Sequence, residues 1–223
     1  STSGQGAAPA SGEGAASMLG DGLLTEPFEG LTIPAKVNYV AKGTNLHKLG
    51  HTLNGASAVI KNYLRTTWLW ERIRIQGGAY GAFCVTDQHA GTLSYASYRD
   101  PNLLTTLANY DQTGDFLRNL DLSEDELTKS IIGAVSDLDA YKLPDAKGYS
   151  SMARYLVGYT DEARQRFRDE VLSTTVDDFK AFADIVDDVK QHGLVVVLGS
   201  QEAIESASAS ADGDVAFEIT KVL

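Results

Sequence analysis

At 223 residues, with 43% hydrophobic and 22% charged side chains, the chain has the make-up of an ordinary globular protein with room for one substantial domain. A formal charge of −11 argues against nucleic-acid binding, which needs Lys and Arg clustered on one face. No stretch approaches the roughly 20 apolar residues of a membrane span, and a single cysteine, Cys84, excludes both an internal disulfide and a cysteine metal cluster.

The chain opens on a Gly/Ala/Ser-rich run, Ser1 to Gly22, of linker composition, and residues 1–30 are expected to be a disordered low-complexity linker ahead of a domain spanning 31–223. Residues 1–35 contain no Lys or Arg, which fits neither a basic transit peptide nor a secretory signal. A linker at the start of a domain suggests that something preceded it, so the chain reads as a fragment. Residues 35–41 alternate apolar and polar and predict a first strand, with Pro34 at its edge. Over 57–75, Ile60, Tyr63, Leu64, Trp68 and Leu69 recur at helical spacing up to a break at Gly77-Gly78. Residues 80–86 and 92–98 then predict a hairpin around Asp87 to Gly91. Cys84 falls in its apolar run and reads as a buried, inert thiol.

Asp100-Pro101 has the form of a helix start, a capping acceptor followed by proline, with Leu103, Leu104, Leu107, Leu117 and Leu120 on the apolar face. Ser123 to Glu126 is a capping box opening a helix through Leu138, and Pro144 closes that segment. Helices follow over 149–157, 161–172 and 176–190, the last capped by Thr175. Leu194 to Leu198 is a wholly apolar run suited to a central strand buried on both faces, and Val215, Phe217 and Ile219 alternate into a closing strand. This order predicts an α+β fold: a mixed, largely antiparallel sheet with helices packed on one face.

The histidines offer a tempting zinc pattern. His47 and His51 have the four-residue spacing of an inverted His-x-x-Glu-His motif, but Gly50 stands where the general-base Glu belongs, and Gly43, Gly50 and Gly55 favour a loop over a helix. His89 and His192 lack a partner at ligand spacing. Asp137, Asp139 and Asp145 lack the EF-hand pattern and read as solvated helix-end charge. Gly77 to Gly81 is no phosphate cradle, because a Rossmann or P-loop turn runs from strand into helix and this one runs from helix into strand.

Arg74-Ile75-Gln76-Gly77-Gly78-Ala79-Tyr80 sets a permanent cation and a phenol on either side of a glycine pair. Read with Ser97 to Leu104 and Tyr141 to Ser151, it resembles the C-terminal part of the presequence proteases, zinc peptidases of the pitrilysin/insulysin type found in mitochondria and chloroplasts. The resemblance covers about residues 31–223. It implies a pitrilysin-type repeat with zinc bound by a separate N-terminal half. This chain would act as a substrate clamp, inactive alone, on cleaved targeting peptides and other short unfolded peptides, often basic. It also implies that Arg74 and Tyr80 contact the peptide near the scissile bond, whereas Arg72 is out of step. The chemistry is sound: a phenol can support a carbonyl oxygen that gains negative charge, and a guanidinium can hold a carbonyl or carboxylate in register. Spacing alone leaves plainer readings open, with Arg74 complementing a helix dipole and Tyr80 filling a strand position. A non-catalytic pitrilysin-like scaffold subunit is the alternative function.

Overall fold

The computed structural model describes residues 27–210 and 215–222. Six strands form one mixed sheet in the order β3-β4-β2-β5-β1-β6: β1 (Phe28–Thr32), β2 (Asn38–Asn45), β3 (Gly81–Asp87), β4 (Thr92–Asp100), β5 (Leu194–Gly199) and β6 (Glu218–Lys221). The β3–β4, β4–β2 and β2–β5 pairings are antiparallel, whereas β1 runs parallel to both β5 and β6. The mixed sheet with helices on one face is the fold the sequence suggests.

The pleat divides each strand between two environments. Val40, Ala82, Cys84, Leu93, Tyr95, Val195 and Val197 are buried under the helices. Of these helices, α7 (Val176–His192) carries the core stripe Phe179, Phe182, Ala183, Val186 and Val189, and α1 (Gly55–Thr66) contributes Val59, Ile60, Tyr63 and Leu64. On the other face, Phe83, Val85 and Tyr98 are exposed large hydrophobics. A Cβ is excluded from Gly30 of β1 because Ile204 of α8 (Gln201–Ser210) packs 2.7 Å from where it would sit.

Burial pushes the Cys84 thiol up to about 12, so almost no nucleophilic thiolate exists near neutrality. Cys84 is therefore expected to resist an aromatic disulfide reagent at pH 8 in the folded protein and to react at once in guanidinium. Rapid labelling without denaturant would contradict its burial.

Two capping predictions hold in detail. Ser123 and Glu126 close a reciprocal capping box on α4 (Glu124–Leu138), and Thr175 and Asp178 do the same for α7. α6 (Asp161–Leu172) is capped by Thr160. The hairpin also forms, with Tyr80 just ahead of β3.

Several boundaries need correction. β1 lies upstream of the anticipated first strand. Phe-Glu-Gly-Leu-Thr shows little alternation, and the chain uses it because its parallel partner β5 lies beside it. The strand expected over 35–41 begins at Asn38. Residues 28–30, placed in the linker by composition, belong to β1, while residues 1–26 lie outside the described residues.

The helix expected over 57–75 is interrupted at Thr67. The hydroxyls of Thr66 and Thr67 donate to the carbonyls of Asn62 and Tyr63, which bends a helix, and the chain re-forms as a π-helix over Trp70–Gln76. Asp100 ends β4 and does not cap a helix. Its carboxylate accepts from Asn102 N at 2.9 Å and Thr106 Oγ1 at 2.7 Å, and helix begins only at α2 (Leu104–Asp111), followed by α3 (Thr113–Arg118).

Pro144 closes nothing further; it stands at the first position of α5 (Pro144–Leu156), where a missing N–H costs no hydrogen bond. β5 is central, but its burial alternates, with Val195 and Val197 buried and Leu194 exposed, because only one sheet face carries helices. Of the anticipated closing strand, only Ile219 lies within β6.

Candidate functional site

The π-helix ends at a turn that the rest of the fold holds in place. Ala79 N donates to Ile73 O at 3.1 Å and Gly78 N to Arg74 O at 3.0 Å. Gly78 supplies the positive φ of 78° that this helix ending requires. Asn102 Nδ2 then clamps the turn by donating to Gly77 O at 2.6 Å. Asn102 is fixed by Asp100, whose own carbonyl accepts from Asn38 Nδ2 at 3.3 Å. Finally, Tyr80 N donates to Tyr98 O at 3.1 Å, which ties the exit of the turn to β4.

Arg74 and Tyr80 thus flank a turn secured by Asn102 and by residues of β2 and β4. Arg74 is half-buried, and its guanidinium lies 3.9 Å from the centroid of the Trp70 ring. Stacking on an indole face fixes the guanidinium plane and leaves its N–H edges free to donate. Tyr80 is 68% exposed, and its ring meets that of Tyr98 edge-on at 5.8 Å. Tyr98 in turn meets Tyr39 at 5.3 Å. A cation and a phenol are presented to solvent on rigid aromatic supports. Beside them, a shallow groove of about 490 Å³ is lined by Tyr63, Trp68, Trp70, Arg72 and Phe116. Arg72 lies over Trp68 at 5.0 Å.

Sequence reasoning picked Arg74 and Tyr80 but gave no role to Trp70, Tyr98 or Asn102 and took Asp100 for a helix cap. The Ser97 to Leu104 segment marked the family without showing that it braces the Gly77-Gly78 turn. An Asp-Pro-Asn run leaving a strand was the available signal, since Asp and Asn side chains lock local backbone through hydrogen bonds.

The other candidates disperse. His51 Nε2 lies 2.5 Å from Asp188 Oδ2, His47 is exposed on a short 3₁₀ turn, and the His89 ring sits edge-on to Tyr159 at 4.8 Å. Asp137 faces Arg65 at 3.8 Å. Asp139 accepts from Arg168 at 2.6 and 2.7 Å, a pair that holds its carboxyl below the ordinary range. Among the described residues no group of three or more His, Cys, Asp or Glu could hold a metal ion. The described side chains therefore do not form a zinc centre, and no helix among those described is long and apolar enough to cross a membrane.

Residues 28–201 match the family model of the PreP C-terminal domain. Over 195 residues, 87% of its length, the chain is 51% identical to presequence protease 1, chloroplastic/mitochondrial, of Arabidopsis thaliana. It spans only 18% of that relative. The fold resembles a peptidase M16 inactive domain from Pseudomonas fluorescens, with a TM-score of 0.58 and 14% identity over 78% of this chain and 44% of that one. It also resembles pitrilysin, with a TM-score of 0.53 and 13% identity over 86% of this chain and 21% of that one. The identity over most of the chain and the family match over the sheet and its helices lead to one conclusion: this chain belongs to the PreP C-terminal domain family.

Proposed function

We propose that this chain is the substrate-clamping C-terminal part of an ATP-independent zinc metalloendopeptidase that degrades cleaved organellar targeting peptides and other short unfolded peptides. The observation that carries the reading is the braced turn between Arg74 and Tyr80, which has a guanidinium stacked on Trp70 at its entry and an exposed phenol at its exit. In this reading Arg74 donates to the backbone or a carboxylate of the peptide and fixes its register. Tyr80 donates to the carbonyl oxygen of the bond to be cut, where negative charge develops. Phe83, Val85 and Tyr98 on the helix-free face give an extended peptide an apolar floor. The chain's acidity suits basic peptides.

Zinc belongs, on this reading, to an N-terminal half outside this chain, and that half is the principal partner. The working place is the mitochondrial matrix, the chloroplast stroma or both, in keeping with the name of the Arabidopsis relative.

Peptide cleavage by this chain alone and by this chain joined to the N-terminal half is the test. Fluorogenic peptides are expected to remain intact with the isolated chain and to be cut, in a chelator-sensitive way, by the joined protein. Chelator-sensitive turnover from the isolated chain would refute the division of labour. A joined protein that assembles and binds but never cuts would favour a non-catalytic scaffold instead.

A further inference from the structure

Arg99 has a φ of 50°, a positive value shared by no other non-glycine residue among those described. Left-handed backbone is disfavoured for a residue with a Cβ and persists only where the surroundings over-determine it. They do so here. Asp100 is fully buried, its carboxylate held by Asn102 N and Thr106 Oγ1 and its carbonyl by Asn38 Nδ2. Gly or Asn would adopt the same conformation at less cost. A strand end that required only the bend has no need of an arginine.

The side chain itself lies at the candidate site. It is exposed, and its guanidinium sits 5.7 Å from the centroid of the Tyr98 ring, the same ring that supports Tyr80. The strand end that bears it packs on the Gly77-Gly78 turn through Asn102, and its carbonyl receives a longer contact from Tyr80 N at 3.4 Å. Face stacking leaves the guanidinium edge open to a planar acceptor.

Charge pairing and aromatic support together set it apart as well. In a chain of net charge −11, Arg65, Arg118, Arg164 and Arg168 lie on carboxylates, and Arg154 and Arg166 have neither an ion pair nor an aromatic face among the described residues. Arg72, Arg74 and Arg99 make every cation–π contact among the described residues, yet none has a carboxylate within ion-pair distance among those residues. A guanidinium presented on an aromatic face, surrounded by an acidic protein and still unpaired, is set up for an anion arriving from outside.

We infer that Arg99 binds a free carboxylate of the peptide ligand beside Tyr80. The inference rests on the reading of Arg74 and Tyr80 as a peptide clamp and adds a ligand chemistry to it. A peptide offers that group at its C-terminus or on an Asp or Glu side chain. Recognition of the terminus would favour short peptides, whose ends come within reach, over internal segments of long chains.

Fluorescence anisotropy of this chain with N-terminally labelled peptides tests it, using one sequence as free acid, as C-terminal amide, and with its Asp and Glu changed to Asn and Gln. Removing the recognised carboxylate is expected to weaken binding about tenfold. Arg99→Gly, which suits the left-handed backbone, should abolish that difference, and Arg99→Lys should keep part of it. The peptide form that loses affinity identifies the source of the carboxylate. Equal affinity for all forms in the unaltered chain, or an unchanged preference in Arg99→Gly, would overturn the inference and leave the clamp intact. If no peptide binds the chain at all, the inference also fails, while the clamp is judged separately by cleavage in the joined protein.

Discussion

In the joined, active protein, Tyr80→Phe is expected to lower kcat about 10²-fold or more while KM stays within a few-fold. An oxyanion donor acts mainly where charge develops, so its loss falls on the transition state and leaves ground-state binding nearly intact. The substitution removes one hydroxyl from a ring that is 68% exposed and keeps the edge-on contact with Tyr98, so the fold should not register it. Arg74→Ala should behave differently. Losing a guanidinium that sets register is expected to raise KM together with a fall in kcat, and Arg74→Lys should recover little, because an ammonium cannot reproduce a planar fork stacked on Trp70. Steady-state kinetics on a fluorogenic peptide, with circular dichroism as the control for folding, decides the matter. A Tyr80→Phe protein with normal turnover would end the proposed role of the phenol.

The largest effect on stability is expected from the buried ion pair beneath the sheet. Lys42 of β2 is 6% exposed, on the helix-covered face, and its Nζ lies 2.5 Å from Asp111 Oδ1 at the end of α2. Asp111→Ala strands an ammonium in the core, a class of change that costs about 3–5 kcal/mol when both partners are fully buried. Asp111 keeps 30% of its side chain in water, so solvent screening brings the expectation down to about 2–3 kcal/mol. At this chain length that corresponds to a fall in Tm of about 4–12 °C. The double substitution Lys42→Met with Asp111→Leu should recover most of the loss, since an apolar pair of similar volume replaces the charges. Differential scanning calorimetry of the three proteins separates the outcomes. An Asp111→Ala protein that melts with the unaltered chain would mean that Lys42 escapes to solvent.

Legibility in the sequence follows the range of the forces involved. The capping boxes at Ser123 and Thr175 were readable because a cap is closed within three residues. The hairpin was readable because its alternation and its turn are contiguous. β1 was not, since Phe28–Thr32 becomes a strand only through β5, more than 160 residues away, and through the packing of Ile204 over Gly30. The break at Thr67 has a local cause in two threonine hydroxyls, but a helical apolar pattern hides it. At the site, Arg74 and Tyr80 came from a motif, and their supports did not. Trp70 under Arg74, and Asp100 and Asn102 behind the turn, are neighbours only once β4 has folded back beside the π-helix.

The position of β1 between β5 and β6 has a consequence for biosynthesis. The first of the described strands is flanked on both sides by the last two of them. During translation β1 therefore has no strand partner until residues 194–199 have left the ribosome. The β3–β4 hairpin and its pairing with β2 can form earlier, but they leave an open edge on β2 in the meantime. Such long-range closure is slow and leaves nascent edges available to other chains. Chaperone occupancy on the growing polypeptide should accordingly persist until β5 emerges and covers that edge.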